Sequence, residues 1–276
     1  MENFKTGYAM TVRKPWSYDE LFIVLNIYHK LAFGQFDKRN PVIISLAQKL
    51  GRTTSSVAMK LCNLASFDPE LHLRGVKGLT GASRLDKEVW EDFHAKLDEN
   101  IPASEDKLRC LFGISVNEEV EVSRRNGIQR RSKGSILPSV TEVSTLVKQR
   151  RGQSFFRNVV LNNYAEQCAI TLIAFRELLV ASHILPWHSH PRERLDVRNG
   201  ICLSRLHDAA FDCGLITFDD AYRLILSPQI KDAISNQRVL AENFGAFAGV
   251  SLRFPEHALL PNPAFLAHHR KTIFKS

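Results

Sequence analysis

Cysteine is scarce and unpatterned in this chain. Its five cysteines (Cys62, Cys110, Cys168, Cys202 and Cys213) are odd in number and form no Cys-x-x-Cys pair. That argues against a disulfide framework and against a four-cysteine zinc knuckle, so no structural zinc is expected. No apolar run approaches the ~18 residues of a membrane span, and no signal-like apolar stretch follows the first basic residues. A soluble, cytoplasmic protein without a membrane partner is the expectation. Acidic residues are also in deficit: 29 Asp and Glu against 37 Lys and Arg leave a formal charge of +8. Such an excess favours a polyanionic partner, although solubility alone also benefits from it. Hydrophobic residues make up 44% of 276, ample for packed cores and for two domains of ordinary size.

The densest chemistry lies between residues 182 and 212. Ser182-His183-Ile184-Leu185-Pro186-Trp187 is followed by Asn199-Gly200 and then by Leu206-His207-Asp208-Ala209-Ala210-Phe211-Asp212. One histidine can take a proton from water, a His/Asp cluster can hold a hard divalent cation, and an Asn-Gly turn can fix the loop between them. An isolated histidine after an apolar stretch is ordinarily a satisfied core residue; the company of Asn199, His207 and Asp212 is what favours chemistry for His183.

These blocks, in this order and spacing, resemble the HNH (ββα-metal) endonucleases, in particular a restriction-type branch reading ASHI-x-PW, then RNG, then LHDAAFD-x-GLI. The likeness runs from about Phe155 to the C-terminus. It implies a ββα unit with strands over Cys168 to Phe175 and Leu178 to Leu185, and a helix over residues 204 to 213. It implies His183 as general base, Asn199 as loop anchor, and one Mg2+ or Mn2+ stabilising charge as a phosphodiester bond breaks. His207 and Asp212, then Asp208, are the candidate ligands, His207 counting also among the catalytic residues. Asp208 falls nine positions after Asn199, where many such motifs place the ligand, while His207 recurs in the branch resembled. Neighbours on a helix diverge by about 100°, so both cannot face one ion. Ser182 stands where many relatives carry an acidic ligand, leaving it to act through water or to be replaced by Glu177 or Asp196. Arg192, Arg194, Arg198 and Arg205 are candidate phosphate contacts, as are Arg150, Arg151 and Arg157 at the start of the preceding helix. His188 and His190 are expected in an exposed loop, and His268 and His269 against phosphate or solvent. A hairpin is expected around Asp219-Asp220 and a helix over Lys231 to Phe244.

In the N-terminal half, Ser17-Tyr18-Asp19-Glu20 is a capping box with Trp16 placed as a staple. Asn40-Pro41 opens a second helix that Gly51 ends, and Thr53 caps a third. Ala47, Gly51 and Val57 sit where a helix-turn-helix needs a small residue, a turn glycine and an apolar anchor. Ser55, Ser56, Lys60 and Asn63 on the third helix are the candidate base and backbone contacts, with a solvated bundle face as the bland alternative. Arg74, Lys77 and Gly78 to Gly81 read as a basic wing, and Ser83 to Leu97 as a further helix. The whole resembles a winged helix fused ahead of the nuclease. Residues 115–148, acidic and then basic, read as a linker.

The fold expectation is therefore α+β: a helical winged-helix-like domain over 1–114, a linker over 115–148 and a ββα-metal domain over 149–276. Function is expected to be cleavage of double-stranded DNA in a restriction role, with or without a requirement for methylated bases. Trp16, Phe22, Phe33, Phe36 and Trp90 could line a pocket for a modified base, or simply pack. A homodimer or two sequential nicks would be needed to cut both strands. The alternatives are a non-catalytic DNA-binding regulator, weakened by Ser182, and a nicking or homing nuclease.

Overall fold

A computed structural model describes residues 14–116, 118–131 and 143–276. Six helices build the first part. Helix α1 (Tyr18–Lys30) starts at the expected capping box: Ser17 Oγ accepts from Glu20 N at 3.2 Å, and Glu20 Oε2 accepts from Ser17 N at 3.0 Å. Arg52 then grips the same carboxylate at 2.6 Å, so Glu20 is held down to about 2 against the pull of its own partial burial. Helix α2 (Pro41–Leu50) has Asn40 as cap and ends at Gly51, whose φ of 62° is the left-handed stop glycine supplies without strain. Helices α3 (Thr54–Leu64), α4 (Pro69–Leu73), α5 (Arg84–Ala95) and α6 (Leu97–Leu111) follow. Leu21, Val24, Ile43, Leu46, Val57, Leu61, Val89 and Phe93 close their shared core.

Two features here differ from the sequence reading. Residues 74–81, expected as a wing, hold a turn and no strand. A hairpin forms instead within the stretch read as linker: β1 (Glu119–Ser123) pairs antiparallel with β2 (Gly127–Arg131). Val120, Val122 and Ile128 enter the first core, which is the apolar alternation that the surrounding charge conceals. Gly127 bends left-handed at φ 78°, and any Cβ there would lie 2.4 Å from Ser45 Oγ of α2. Residues 132–142, the rest of that stretch bar its last few, lie outside those described.

Helix α7 (Val143–Asn163) begins earlier than expected and serves both halves. Phe155 and Val159 belong to the first core, Phe156, Val160 and Leu161 to the second. Asn158 locks β1 onto it, accepting from Val122 N at 2.9 Å and donating to Val120 O at 2.9 Å.

The second half is assembled around β3 (Leu179–His183) and β4 (Gly200–Ser204), antiparallel with His183 opposite Gly200, followed by α8 (Arg205–Asp212). The unit is ββα, but its partner strands differ from expectation. Residues 168–175 make turns, with Leu172 left-handed at φ 61°. Gly200 has no alternative, because a Cβ would meet Val160 at 2.4 Å and Phe156 at 2.8 Å. Strands β5 (Ile216–Phe218) and β6 (Leu224–Leu226) form the expected hairpin. The helix expected over 231–244 is two, α9 (Pro228–Ile234) and α10 (Arg238–Asn243), and α11 (Pro263–Thr272) closes the chain. Among the described residues no helix is long and apolar enough to cross a membrane.

Candidate active site

The site grows out of the end of β3. His183 is its last residue, and the ring lies flat on Phe156 of α7, centroids 3.8 Å apart, with Trp187 edge-on at 5.2 Å. Its Nε2 is 3.0 Å from the carbonyl of Arg194. A carbonyl can only accept, so the proton resides on Nε2 and Nδ1 keeps its lone pair. Burial lowers the imidazole to about 4, against the raising effect of that carbonyl. The ring is thus neutral at pH 7, orientated, and bare at one nitrogen. It lines a 230 Å³ cleft with Glu119, Gln153, Arg157 and Trp187.

Asn199 does what its place in the loop demands. Fully buried, it accepts from Leu185 N at 2.8 Å and donates to the carbonyls of Leu185 at 3.3 Å and Glu193 at 3.2 Å. Three bonds from one amide tie the segment after β3 to the entry of β4, and so fix the carbonyl that orientates His183.

Ser182 leaves the strand on the other face, as alternation requires, and is buried against α8. There Asp208 and Asp212 stand one helical turn apart. Burial raises Asp208, with the Ser182 hydroxyl and Arg205 working against the rise. Burial and then the Asp208 charge push Asp212 up to about 6. Ser182 Oγ lies beside Asp208 without completing a hydrogen bond of full geometry. Two crowded carboxylates and an unsatisfied hydroxyl make an oxygen-only donor set suited to a hard divalent cation, which takes few protein ligands and keeps several waters. Among the described residues no three His, Cys, Asp or Glu side chains gather around one point; the residues present fit a cation held in part by water and substrate.

His207 is not brought to that pair. Nδ1 meets Ser204 Oγ at 2.8 Å and Nε2 meets the Asn243 carbonyl at 2.8 Å, so both nitrogens are spent joining α8 to α10. His269, expected against phosphate or solvent, is likewise internal: it stacks on Phe211 at 3.8 Å and bonds Thr217.

The arginines divide into clamps and free charges. Arg151 is buried, reaching Asp106 at 3.0 Å and the carbonyls of Glu118 and Val116. Arg198 pairs with Asp196 at 2.9 Å, and Arg194 lies over the Trp187 ring. Arg150, Arg192 and Arg205 are exposed. Arg157 donates to the carbonyls of Leu179 and Arg176 and also lines the His183 cleft. On α3, Ser55 is exposed and Ser56 half-buried, whereas Lys60 is committed to Asp86 at 2.8 and 2.9 Å and Asn63 is buried with its amide on Gly81 O. Met59, 57% exposed between them, is the side chain on that face which the polar pattern hid. Of the aromatic residues read as a base pocket, Phe22 is core, Trp16 packs under Arg52, and Phe33 and Phe36 line a 210 Å³ cavity with Tyr28. No sequence signal marks Glu119, which reaches the cleft from the hairpin hidden in the charged stretch.

Residues 168–219 match the family model described as HNH endonuclease. The matched segment contains β3, β4 and α8 with His183, Asn199, Asp208 and Asp212. A search among curated proteins finds no match to the chain.

Proposed function

We propose that this protein is a metal-dependent endonuclease that hydrolyses phosphodiester bonds of double-stranded DNA, acting as a restriction enzyme with specificity supplied by its N-terminal helices. One observation carries the reading: His183 has Nε2 tied to the Arg194 carbonyl and Nδ1 bare, on the rim of a cleft. In that role Nδ1 accepts a proton from the attacking water, and the Arg194 carbonyl steadies the imidazolium that results. Asn199 keeps the carbonyl in place. Asp208, Asp212 and Ser182 would hold one Mg2+ or Mn2+, which when bound stabilises negative charge developing on phosphate and leaving oxygen. In this reading the scissile phosphodiester lies at an edge of the two-stranded sheet, between His183 on one face of β3 and Ser182, Asp208 and Asp212 on the other. Exposed Arg150, Arg192 and Arg205 supply backbone charge. Ser55, Ser56 and Met59 form the projecting face of α3, and Met59 gives it an apolar contact of the kind a pyrimidine methyl requires. Cutting both strands with a single such site takes a homodimer or two sequential nicks.

Ser182 favours a second reading, a non-catalytic DNA-binding regulator, since a hydroxyl is a weaker cation ligand than a carboxylate. The test is incubation with Mg2+ or Mn2+ and two preparations of one plasmid, from methylating and non-methylating hosts, alongside His183→Ala. Cleavage by the wild type and none by the variant supports the nuclease, and restriction to the methylated plasmid adds the modification requirement. Binding without cleavage of either plasmid supports the regulator.

A further inference from the structure

Most arginines near the site are already committed to other partners. Arg151 and Arg198 have carboxylates, and Arg176 is held by Glu121 and Glu166. Arg157 is different. Its terminal nitrogens rest on two backbone carbonyls, Leu179 O at 2.7 Å and Arg176 O at 3.0 Å, which orientate the guanidinium without neutralising it. Its Nε is buried and has no hydrogen-bond partner. No carboxylate among the described residues pairs with it, and its cationic neighbours Arg131 and Arg176 add to the positive potential. The acid bearing on it most is Glu121, itself engaged by Arg176. Glu119 lines the same cleft, as do Gln153, Phe156 and His183.

A buried donor left unsatisfied costs roughly 1–3 kcal/mol, and more where the group is charged. Burial accordingly lowers Arg157 to about 10. An anion entering the cleft from the His183 side would meet that unmatched charge. We infer that Arg157 is the phosphate-holding residue of this site: a fixed guanidinium that contacts a non-bridging oxygen of the phosphodiester which His183 prepares to cleave. The inference rests on the nuclease reading for its substrate but on the geometry alone for its anion. Backbone carbonyls position the group before substrate arrives, so no reorganisation is required as charge accumulates on phosphorus oxygens.

Arg157→Gln and Arg157→Lys are compared with wild type and with Arg151→Gln, which loses a structural clamp of similar burial. Plasmid cleavage with Mg2+ or Mn2+ is expected to show kcat reduced about 100-fold or more in Arg157→Gln, KM changed only several-fold, partial recovery in Arg157→Lys, and near wild-type kcat in Arg151→Gln. Circular dichroism confirms the fold of each. Thermal melts with millimolar inorganic phosphate and no metal give a readout independent of cleavage. Phosphate is expected to raise the Tm of wild type and to leave that of Arg157→Gln unmoved. If wild type does not cut DNA but shows this difference, the nuclease reading fails and the anion site stands. Equal phosphate shifts in both proteins, no shift in wild type, or cleavage by Arg157→Gln at the rate of Arg151→Gln would overturn it.

Discussion

His29 offers a test of the fold that needs no substrate. It lies on α1 where α5 and α7 converge, within ring-contact distance of Trp90, Phe93, His94 and Phe155. The residue as a whole is half-buried, and Nε2 is closed off without a partner. Desolvation, followed by the charge of His94, lowers it to about 3. Other ionisable neighbours do little to help it: Lys30 is committed to Glu105, and Asp68 is taken by Tyr28. The folded value lies below the unfolded one, so the stabilisation is complete above the unfolded value of about 6.5 and is lost as pH falls towards 3. At pH 5 the linkage is worth about 2 kcal/mol, from 1.5 units at 1.36 kcal/mol each. Urea unfolding at pH 7 and pH 5, for wild type and His29→Leu, isolates it. The leucine variant should lose about 2 kcal/mol less than wild type over that interval, whatever its starting stability. Equal losses in the two proteins would show that His29 is not held neutral by its surroundings, and the packing described around it would be wrong.

Other substitutions probe the remaining assignments. Lys60→Ala strands Asp86, fully buried, and should cost about 3–5 kcal/mol in urea unfolding; a variant of wild-type stability with weaker DNA binding would restore Lys60 as a contact. Gly200→Ala forces its methyl into Val160 and Phe156, with an expected loss of about 1–3 kcal/mol read from the Tm. His207→Gln should lower the melting temperature while leaving Mn2+ affinity, measured calorimetrically, within about threefold, whereas Asp212→Asn should weaken it by about tenfold or more. The reverse pattern would return His207 to the ligand set.

The capped helices were readable because each start is written locally. Ser17, Asn40, Thr53 and Ser83 all accept from the backbone two or three residues on. The strand ending at His183, the Asn199 amide that ties the loop and the helix over 205–212 were legible for a similar reason, being written in short-range spacing, whereas the partner strand β4 was not. The phase of α8 was not. Whether His207 or Asp208 faces the site is decided by Asn243, distant in sequence, which draws His207 to the other side. Residues 168–175 read as a strand because they are apolar, but Ala165, Glu166 and Leu172 adopt left-handed backbone that side chain identity does not announce. The hairpin at 119–131 was masked by its outward charges. The committed state of Lys60 depends on Asp86 of another helix, and no pattern on α3 alone reveals it.

Helix α7 gives adjacent residues to different masters: Phe155 goes to one core and Phe156 to the other. Melting either core strips the opposite face of the same helix, so the two should unfold as one cooperative unit. A division at residue 149 would sever that shared element, leaving each fragment with half of a packing surface. It also removes any hinge along those turns. Under the proposed function, whatever the N-terminal helices grasp would then sit at a fixed distance and rotation from His183, with the offset between contact and cut measured along a single helix.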